Sequence, residues 1–478
     1  MKVLFAVWEL DPLIKVGGLG DVARSLPVAL RIIGVDVRVV IPFYKALKLG
    51  KSKKTKVADI QFDYAGKKET VEIFHLFHPE NKFPVYLLSH KRFLSIPHFP
   101  DTFAFFDKAV VCISQGILSW KPDIIHCNDL HTGLIPLLVR EGKLPIKTLL
   151  TIHNLAYQGA TSIDILEKLG IKESKGRIIK WEIASKRVNF LLEGIVHADS
   201  VTTVSPTYAK EIMTEEFGVG LEEILRGKEG RVFGILNGID NAWRQIWKIK
   251  HVKYHYMSGV FQEGKFPGRV YSWEEGKRLN KIYLQKKLGL KTDGNIPMLG
   301  FIGRFDPRQK GIDILHKMLR RDGFKRYQLV ILGKGKQDWE ERFQWLNTFY
   351  PKSISCTFTF DEALANQIYA ASDFMLIPSR FEPCGLVQMI AMYFGTLPVA
   401  HKTGGLIDSI KDGYNGFLFG SYSAEALTKA VKRALDIWRR HKSLYRKMVE
   451  NALSTDFSWE KSAGKYLEIY IKLLKNNI

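Results

Sequence analysis

The chain has 478 residues, 46% of them hydrophobic and 12% aromatic, and a formal net charge of +22. That is enough apolar surface for two or three domains, and it excludes a disordered chain; four cysteines (Cys112, Cys127, Cys356, Cys384) without zinc-finger spacing exclude a disulfide framework. No apolar run reaches the roughly 20 residues of a membrane span, and "MKVLFAVWELDPL" meets Glu9 and Asp11 too early for a signal peptide.

In chain order, "KVLFAVWE" reads as a buried strand and is followed by the loop that carries Lys15, Gly17 and Gly18. An amphipathic helix comes next, with Leu19, Val22, Ala23, Leu26, Leu30 and Ile33 on one face and Pro27 inside it, where a kink is expected, then the strand "VDVRVVIP". The unbroken β-branched runs indicate parallel strands covered on both faces. Strands and helices keep alternating through "PDIIHCND", "KTLLTIHN", "ADSVTTVS" and "RVFGILNG". A second start of the same kind opens at "IPMLGFIG", followed by the helix "GIDILHKML" and the strand "YQLVILG"; "CTFTF", "ASDFMLIPS" and "TLPVA" continue it. The expected fold class is therefore α/β, as two doubly wound Rossmann-like domains. The boundary is expected near residue 240, with Trp243 to Lys277 as an irregular, aromatic and basic connection.

Ligand loops of such sheets lie at the carboxyl ends of the strands. There the first half delivers Glu9, Asp11, Lys15, Gly17 and Gly18, then His126, Asp129 and His131, then His153 and Asn154. "GGLG" is not G-x-G-x-x-G, so the dinucleotide fingerprint is not met. The two histidines with Asp129 raise a metal site as an alternative, but no third strong ligand of fixed spacing stands beside them. In the second half Arg304 and Lys310 follow a strand directly and are suited to neutralising a diphosphate. Glu382 precedes a helix start near Cys384 and Gly385, and its carboxylate suits a sugar hydroxyl better than a phosphate. Thr403 and Gly404 open another glycine-rich helix start suited to phosphate. The lysines are scattered and form no stripe alternating with aromatics, which argues against nucleic acid and for an anionic small-molecule site. A donor with a diphosphate and a sugar fits this inventory.

"KVGGLGDV", "TIHNLAYQG", "TVSPTYAKEI", "ILNGID", "QKGID", "PSRFEPCGL", "KTGGLIDSI" and "FSWEKSA" together resemble bacterial glycogen synthase and plant starch synthase, in order and over nearly the whole chain. The resemblance implies a GT-B fold of two Rossmann-like domains, 1–240 and 241–455, facing across a cleft, with a C-terminal helix, 456–478, crossing back to the first. It implies a retaining glucosyltransferase that extends an α-1,4-glucan such as glycogen from ADP-glucose, with no metal or other cofactor; the few cysteines, the scattered lysines and the short apolar runs by themselves indicate a reduced, cytoplasmic protein with no nucleic-acid partner and no membrane. Position by position, it implies that Lys15 with Gly18 sits by the donor phosphates and sugar, and that Arg304 and Lys310 stabilise the departing diphosphate. It places Glu382 on the donor glucose hydroxyls, His153 facing the glucose at the reaction centre and Asn237 touching the donor sugar. Glu9, Asp21 and Asp129 carry over toward acceptor or sugar hydroxyls.

The chain departs from that pattern at several positions. "GRF" stands where S-R-L is common. Phe360 replaces a frequent tyrosine, so a base can stack there but loses a hydroxyl contact. Ile390 occupies the place of a second glutamate, and His401 that of an arginine; Trp8 and Asp11 replace Ser and Ala. ADP-glucose against UDP-glucose is thereby left open. The alternatives are a UDP-glucose-using retaining glucosyltransferase and a catalytically silent glucan-binding homologue. A dinucleotide-dependent oxidoreductase fails on the missing fingerprint, and no motif proposes the pyridoxal-phosphate lysine that glucan phosphorylase needs.

Overall fold

The computed structural model describes residues 1–116, 119–171, 178–257, 269–323 and 326–475. The chain forms two compact units, Met1–Gly238 with Trp459–Ile478, and Ile239–Ser458. The divisions thus fall at Gly238/Ile239 and Ser458/Trp459, a few residues from the expected 240 and 456. Of the expected irregular connection, 258–268 lies outside the described residues. The rest holds two short 3-10 turns, Asn241–Arg244 and Ile246–Lys248, and from Trp273 it is already a regular helix running to Lys287, which corrects the expectation of irregularity. Residues 476–478 of the expected C-terminal helix are likewise outside the described set.

The first unit is built on β1 (Lys2–Ala6), β2 (Asp36–Pro42), β3 (Thr55–Tyr64), β4 (Lys67–Phe77), β5 (Pro84–Ser89), β6 (Ile124–Asn128) and β7 (Lys147–Ile152). A small hairpin follows, β8 (Ala160–Ser162) with β9 (Arg187–Asn189), and then β10 (Ser200–Thr203) and β11 (Val232–Gly234). The nine-stranded sheet has the order β11-β10-β7-β6-β1-β2-β5-β4-β3. β1 pairs in parallel with both β2 and β6, so the chain order reverses direction between β1 and β6. β4 pairs antiparallel with β3 and β5, so the sheet is mixed where an all-parallel one was expected. The β3–β4 hairpin escapes sequence reading because its tight turn uses Ala65 and Gly66, both at positive φ (52° and 75°), and alanine is not a residue that announces such a turn.

The helix Gly18–Ile32 runs continuously with Pro27 inside it and buries Leu19, Val22, Ala23, Leu26 and Leu30 on one face, as the three-and-four spacing dictates. That face packs against the C-terminal helix Trp459–Leu474, whose Trp459, Ala463, Tyr466, Ile469, Tyr470 and Leu473 belong to the same core as Val3, Phe5 and Val37. The link is polar as well as apolar. Fully buried His126 on β6 hydrogen-bonds through Nδ1 to the Tyr470 hydroxyl (2.7 Å) and through Nε2 to Thr151 Oγ1 (2.6 Å).

The second unit carries β12 (Met298–Ile302), β13 (Gln328–Leu332), β14 (Ile354–Thr357), β15 (Phe374–Ile377), β16 (Leu397–His401) and β17 (Phe417–Phe419) in the order β14-β13-β12-β15-β16-β17, every pair parallel. Counted from the first strand this is the order 3-2-1-4-5-6, and the switch point falls between β12 and β15. Buried Lys277 donates to the carbonyl oxygens of Tyr369, Ala370 and Phe394 and to Thr396 Oγ1, closing the C-terminal ends of the helices Glu362–Ala371 and Val387–Tyr393. Burial pulls its pKa down to about 7.

The dependence of the first unit on its last helix gives a prediction. Tyr470→Phe strands the buried His126 Nδ1 and should cost about 1–3 kcal/mol, and Tyr470→Ala should cost about 3–5 kcal/mol, both read by urea unfolding. A Phe variant within a few tenths of the parent would show that the hydrogen bond adds nothing.

Candidate active site

At the switch point of the second unit, the loops leaving β12 and β15 meet. Lys310 Nζ lies 2.6 Å from Glu382 Oε2, and Ser379 Oγ donates to the same oxygen at 2.9 Å. Glu382 is only 7% exposed, so its charge is held by the lysine and the hydroxyl rather than by solvent. Arg304 Nη2 donates to Gln309 Oε1 at 2.7 Å, and the Arg380 N–H donates to the Gln309 carbonyl oxygen, so Gln309 ties the arginine to both loops. Sequence reading missed Gln309 and Ser379. They lie in the same strand-end loops, and that position is the only signal that could have found them.

Two glycines let these loops close up. Gly311 has φ +67°, and a Cβ there would fall 1.8 Å from the Pro378 carbonyl oxygen; a Cβ on Gly405 would fall 2.2 Å from that of Cys384. Gly405 N–H donates to the Glu382 carbonyl oxygen (3.0 Å), so the loop of Thr403 and Gly404 is fastened to the Glu382 loop. Thr403 and Cys384 are buried. The expected helix start near Gly385 is shifted: the helix begins at Val387, and Gln388 Nε2 donates back to the carbonyl oxygens of Cys384 and Gly385. A small recess is lined by Phe301, Lys310, Ser379, Glu382, Gly385 and Leu386. Phe360 stands almost free of the protein, 98% exposed, just before the helix Glu362–Ala371.

In the first unit, the loop after β1 is folded around Glu9. Its Oε2 accepts from the N–H groups of Val16 (2.5 Å) and Gly17 (2.9 Å), and burial pushes its pKa up against those bonds. Glu9 therefore shapes the glycine loop, a use of the carboxylate that the sequence did not suggest. Lys15 Nζ reaches Asp21 Oδ1 at 2.6 Å, while Arg24 pairs with Asp11 at 3.0 Å. Burial raises the pKa of Asp21, with Lys15 acting in the opposite direction. Gly18 opens the helix that follows.

Past β6, Asp129 adopts φ 56° and ψ −170°, strained for a residue with a side chain. Its Oδ1 accepts from the N–H groups of His153 (2.6 Å) and Asn154 (3.4 Å), and burial lifts its pKa to about 7. Asp129 thus clamps the loop after β7 and sets the backbone of His153. Burial lowers the His153 pKa to about 3, so the ring is neutral at physiological pH. His131 stacks on Trp8 (centroids 4.5 Å, 20° between planes) and meets the edge of Phe103. His126 is bound to Tyr470 and Thr151 and Asp129 to two backbone N–H groups, while His131 Nδ1 has no hydrogen-bonding partner among the described residues. Among the described residues no three His, Cys, Asp or Glu side chains form a group able to hold a metal. Asn237, in the loop after β11, is 5% exposed and its Oδ1 has no hydrogen-bonding partner among the described residues.

The starch synthase catalytic domain family matches residues 2–227, and the glycosyl transferases group 1 family matches residues 284–455. The glycogen synthase of Desulfitobacterium hafniense is 37% identical over 495 residues, covering 99% of each chain, and that of Thermosipho melanesiensis is 38% identical over 496 residues, covering all of both. The chain belongs to the glycogen and starch synthase family. It is a glucosyltransferase with the two Rossmann-like domains of the GT-B fold. The catalytic domain of Arabidopsis thaliana starch synthase IV, bound to ADP and acarbose, superposes with a TM-score of 0.86 at 30% identity over 99% of each chain. A sucrose-phosphate synthase from Thermosynechococcus elongatus (TM-score 0.62, 18% identity, 99% of each chain) shares the fold.

The raised pKa of Asp129 yields a pH prediction. Its folded value of about 7 lies above the ordinary 3.8, so between those limits the folded chain holds a proton that the unfolded chain releases. Stability on this account falls as pH rises from about 4 to about 7. Asp129→Asn keeps the oxygen acceptor and removes the titration. Its stability relative to the parent should climb through that window and level off above it, read by thermal unfolding at graded pH. A difference independent of pH would contradict this.

Proposed function

We propose that the enzyme transfers glucose from ADP-glucose to the non-reducing end of an α-1,4-glucan such as glycogen, with retention at the anomeric carbon and without a metal. The observation that carries the reading is the Lys310–Glu382 pair beside Arg304 at the switch point of the second sheet. A diphosphate and a glucose need opposite things of a site: cations for the first and hydroxyl acceptors for the second. Glu382 alone would repel a diphosphate, but Lys310 at 2.6 Å offsets that charge while leaving carboxylate lone pairs for sugar hydroxyls.

The roles follow from charge. As the anomeric C–O bond stretches, the leaving diphosphate gains negative charge and the sugar becomes oxocarbenium-like. Arg304 and Lys310, held in place before reaction, favour that state over the ground state. The glucan hydroxyl oxygen bonds to the anomeric carbon as the bond to phosphate breaks, and its proton passes to the departing phosphate oxygen. Attack and departure on one face retain the configuration. The loop amides near Cys384, Gly385, Thr403 and Gly404 are assigned to donor oxygens, and exposed Phe360 to the base. In the first unit, Lys15 and Gly18 are assigned to the donor, and buried Asn237 to the donor sugar. His153 is assigned to the transferred glucose, and Asp21 to glucan hydroxyls. Glu9 and Asp129 act through the loops they hold.

The ADP in the Arabidopsis starch synthase structure supports the adenine nucleotide, and its acarbose supports a glucan partner. The four cysteines are free, in keeping with a reduced, cytoplasmic location. Neither nucleic acid nor a membrane is assigned as a partner, and no helix among the described residues is long and apolar enough to cross a membrane.

The test is initial-rate glucose transfer to glycogen from ADP-glucose and from UDP-glucose, side by side, with and without chelator. Transfer chiefly from ADP-glucose, unchanged by chelator, is expected. Preference for UDP-glucose would overturn the donor assignment, and loss of activity on chelation would overturn the metal-free one. Folded protein that transfers from neither donor would favour a silent glucan-binding homologue.

A further inference from the structure

Asn128, the last residue of β6, is buried, and each of its polar groups is spoken for. Its backbone N–H donates to Thr132 Oγ1 (2.5 Å), and the same hydroxyl donates back to its carbonyl oxygen (3.0 Å). Its side-chain Nδ2 faces two carbonyl oxygens, that of Ala6 at the end of β1 (3.0 Å) and that of His126 (3.4 Å). Its side-chain Oδ1 lies 2.9 Å from His153 Nε2.

This arrangement has one consistent assignment of protons. Carbonyl oxygens only accept, so the amide nitrogen must be the end that faces Ala6 and His126. The amide oxygen must then face His153, and since it too only accepts, Nε2 must carry the proton. A neutral imidazole protonated at Nε2 has a bare Nδ1. Among the described residues no hydrogen-bonding partner reaches Nδ1, and this nitrogen is not one of the sealed, unsatisfied atoms of the interior. The ring is fixed from two sides, because Asp129 holds the His153 backbone N–H while Asn128 holds the ring.

We infer that Asn128 is a positioning residue that keeps His153 in its Nε2–H tautomer, so that Nδ1 meets the substrate as a hydrogen-bond acceptor. The substrate group that matches it is a hydroxyl, and the inference rests on the proposed place of His153 beside the transferred glucose. Neither a phosphate oxygen nor a carbonyl can donate to such a nitrogen, so His153 discriminates for the sugar and against the diphosphate end of the donor. Asn128 itself touches no substrate. It acts through the ring.

The test has a spectroscopic arm that needs no substrate. In full-length protein labelled with 15N-histidine, long-range 1H–15N correlation spectra should show His153 as a single Nε2–H tautomer, with the signal assigned by its loss in His153→Ala. Asn128→Leu removes the acceptor. It should give a mixture of tautomers and lower kcat about five- to tenfold, the scale of one hydrogen bond, with KM for the donor near the parent's. Asn128→Asp keeps an oxygen opposite Nε2 and turns its second oxygen to the Ala6 and His126 carbonyl oxygens, where it must carry a proton to donate as the amide did. It should preserve the single tautomer and keep kcat closer to the parent's than the leucine variant does. An unchanged tautomer in Asn128→Leu, or a changed tautomer with kcat within twofold of the parent, would overturn the inference. Should the leucine variant fail to fold, a mixture of tautomers in Asn128→Asp would overturn it. A parent enzyme that transfers no glucose would defeat the functional reading while leaving the tautomer measurement to stand or fall by itself.

Discussion

The ion pair between Lys310 and Glu382 is the interaction on which the second unit's site depends, because it joins the loops that leave β12 and β15. A parallel sheet creates the opportunity: neighbouring strands end on the same edge, and where the strand order reverses the two following loops part and leave a crevice. What the sheet does not supply is charge balance. A buried carboxylate is costly unless it is paired and hydrogen-bonded, and Glu382 is both, through Lys310 and Ser379. The loops can approach closely only because Gly311 and Gly405 bring no Cβ to the carbonyls of Pro378 and Cys384.

The first unit solves a related problem by a different route. Besides the Lys15–Asp21 and Arg24–Asp11 ion pairs, its strand-end loops are held by carboxylates that accept backbone N–H groups. Glu9 gathers the turn ahead of the first helix, and Asp129 gathers the turn after β7. Both lose hydration in doing so, and their raised pKa values record that loss. Below them the C-terminal helix completes the apolar core and meets His126 through Tyr470, so the last residues of the chain support the sheet that carries the first loop.

Much of this was legible in the sequence. Buried parallel strands are apolar runs, and the helices between them repeat at three and four, so two doubly wound domains and their strand-end loops could be read directly. Arg304, Lys310 and Glu382 stood out as charges placed where such loops end. The β3–β4 hairpin did not, because its turn places Ala65 at positive φ. The partners Gln309, Ser379 and Asn128 were invisible for another reason: an amide or hydroxyl has no sequence signature until the fold shows which charge or ring it faces. Glu9 and Asp129 were legible as residues of the site but not in their use, since side-chain-to-backbone bonds depend on loop geometry that spacing does not encode.

The central claim is that the cations after β12 stabilise the departing diphosphate. It is tested most directly by single-turnover transfer rates at saturating donor for Arg304→Ala and Lys310→Ala, with folding checked by thermal unfolding. The account predicts that each loses about a hundredfold or more in rate, the scale of one preorganised charge contact in a transition state. Rates within twofold of the parent in either variant would contradict it.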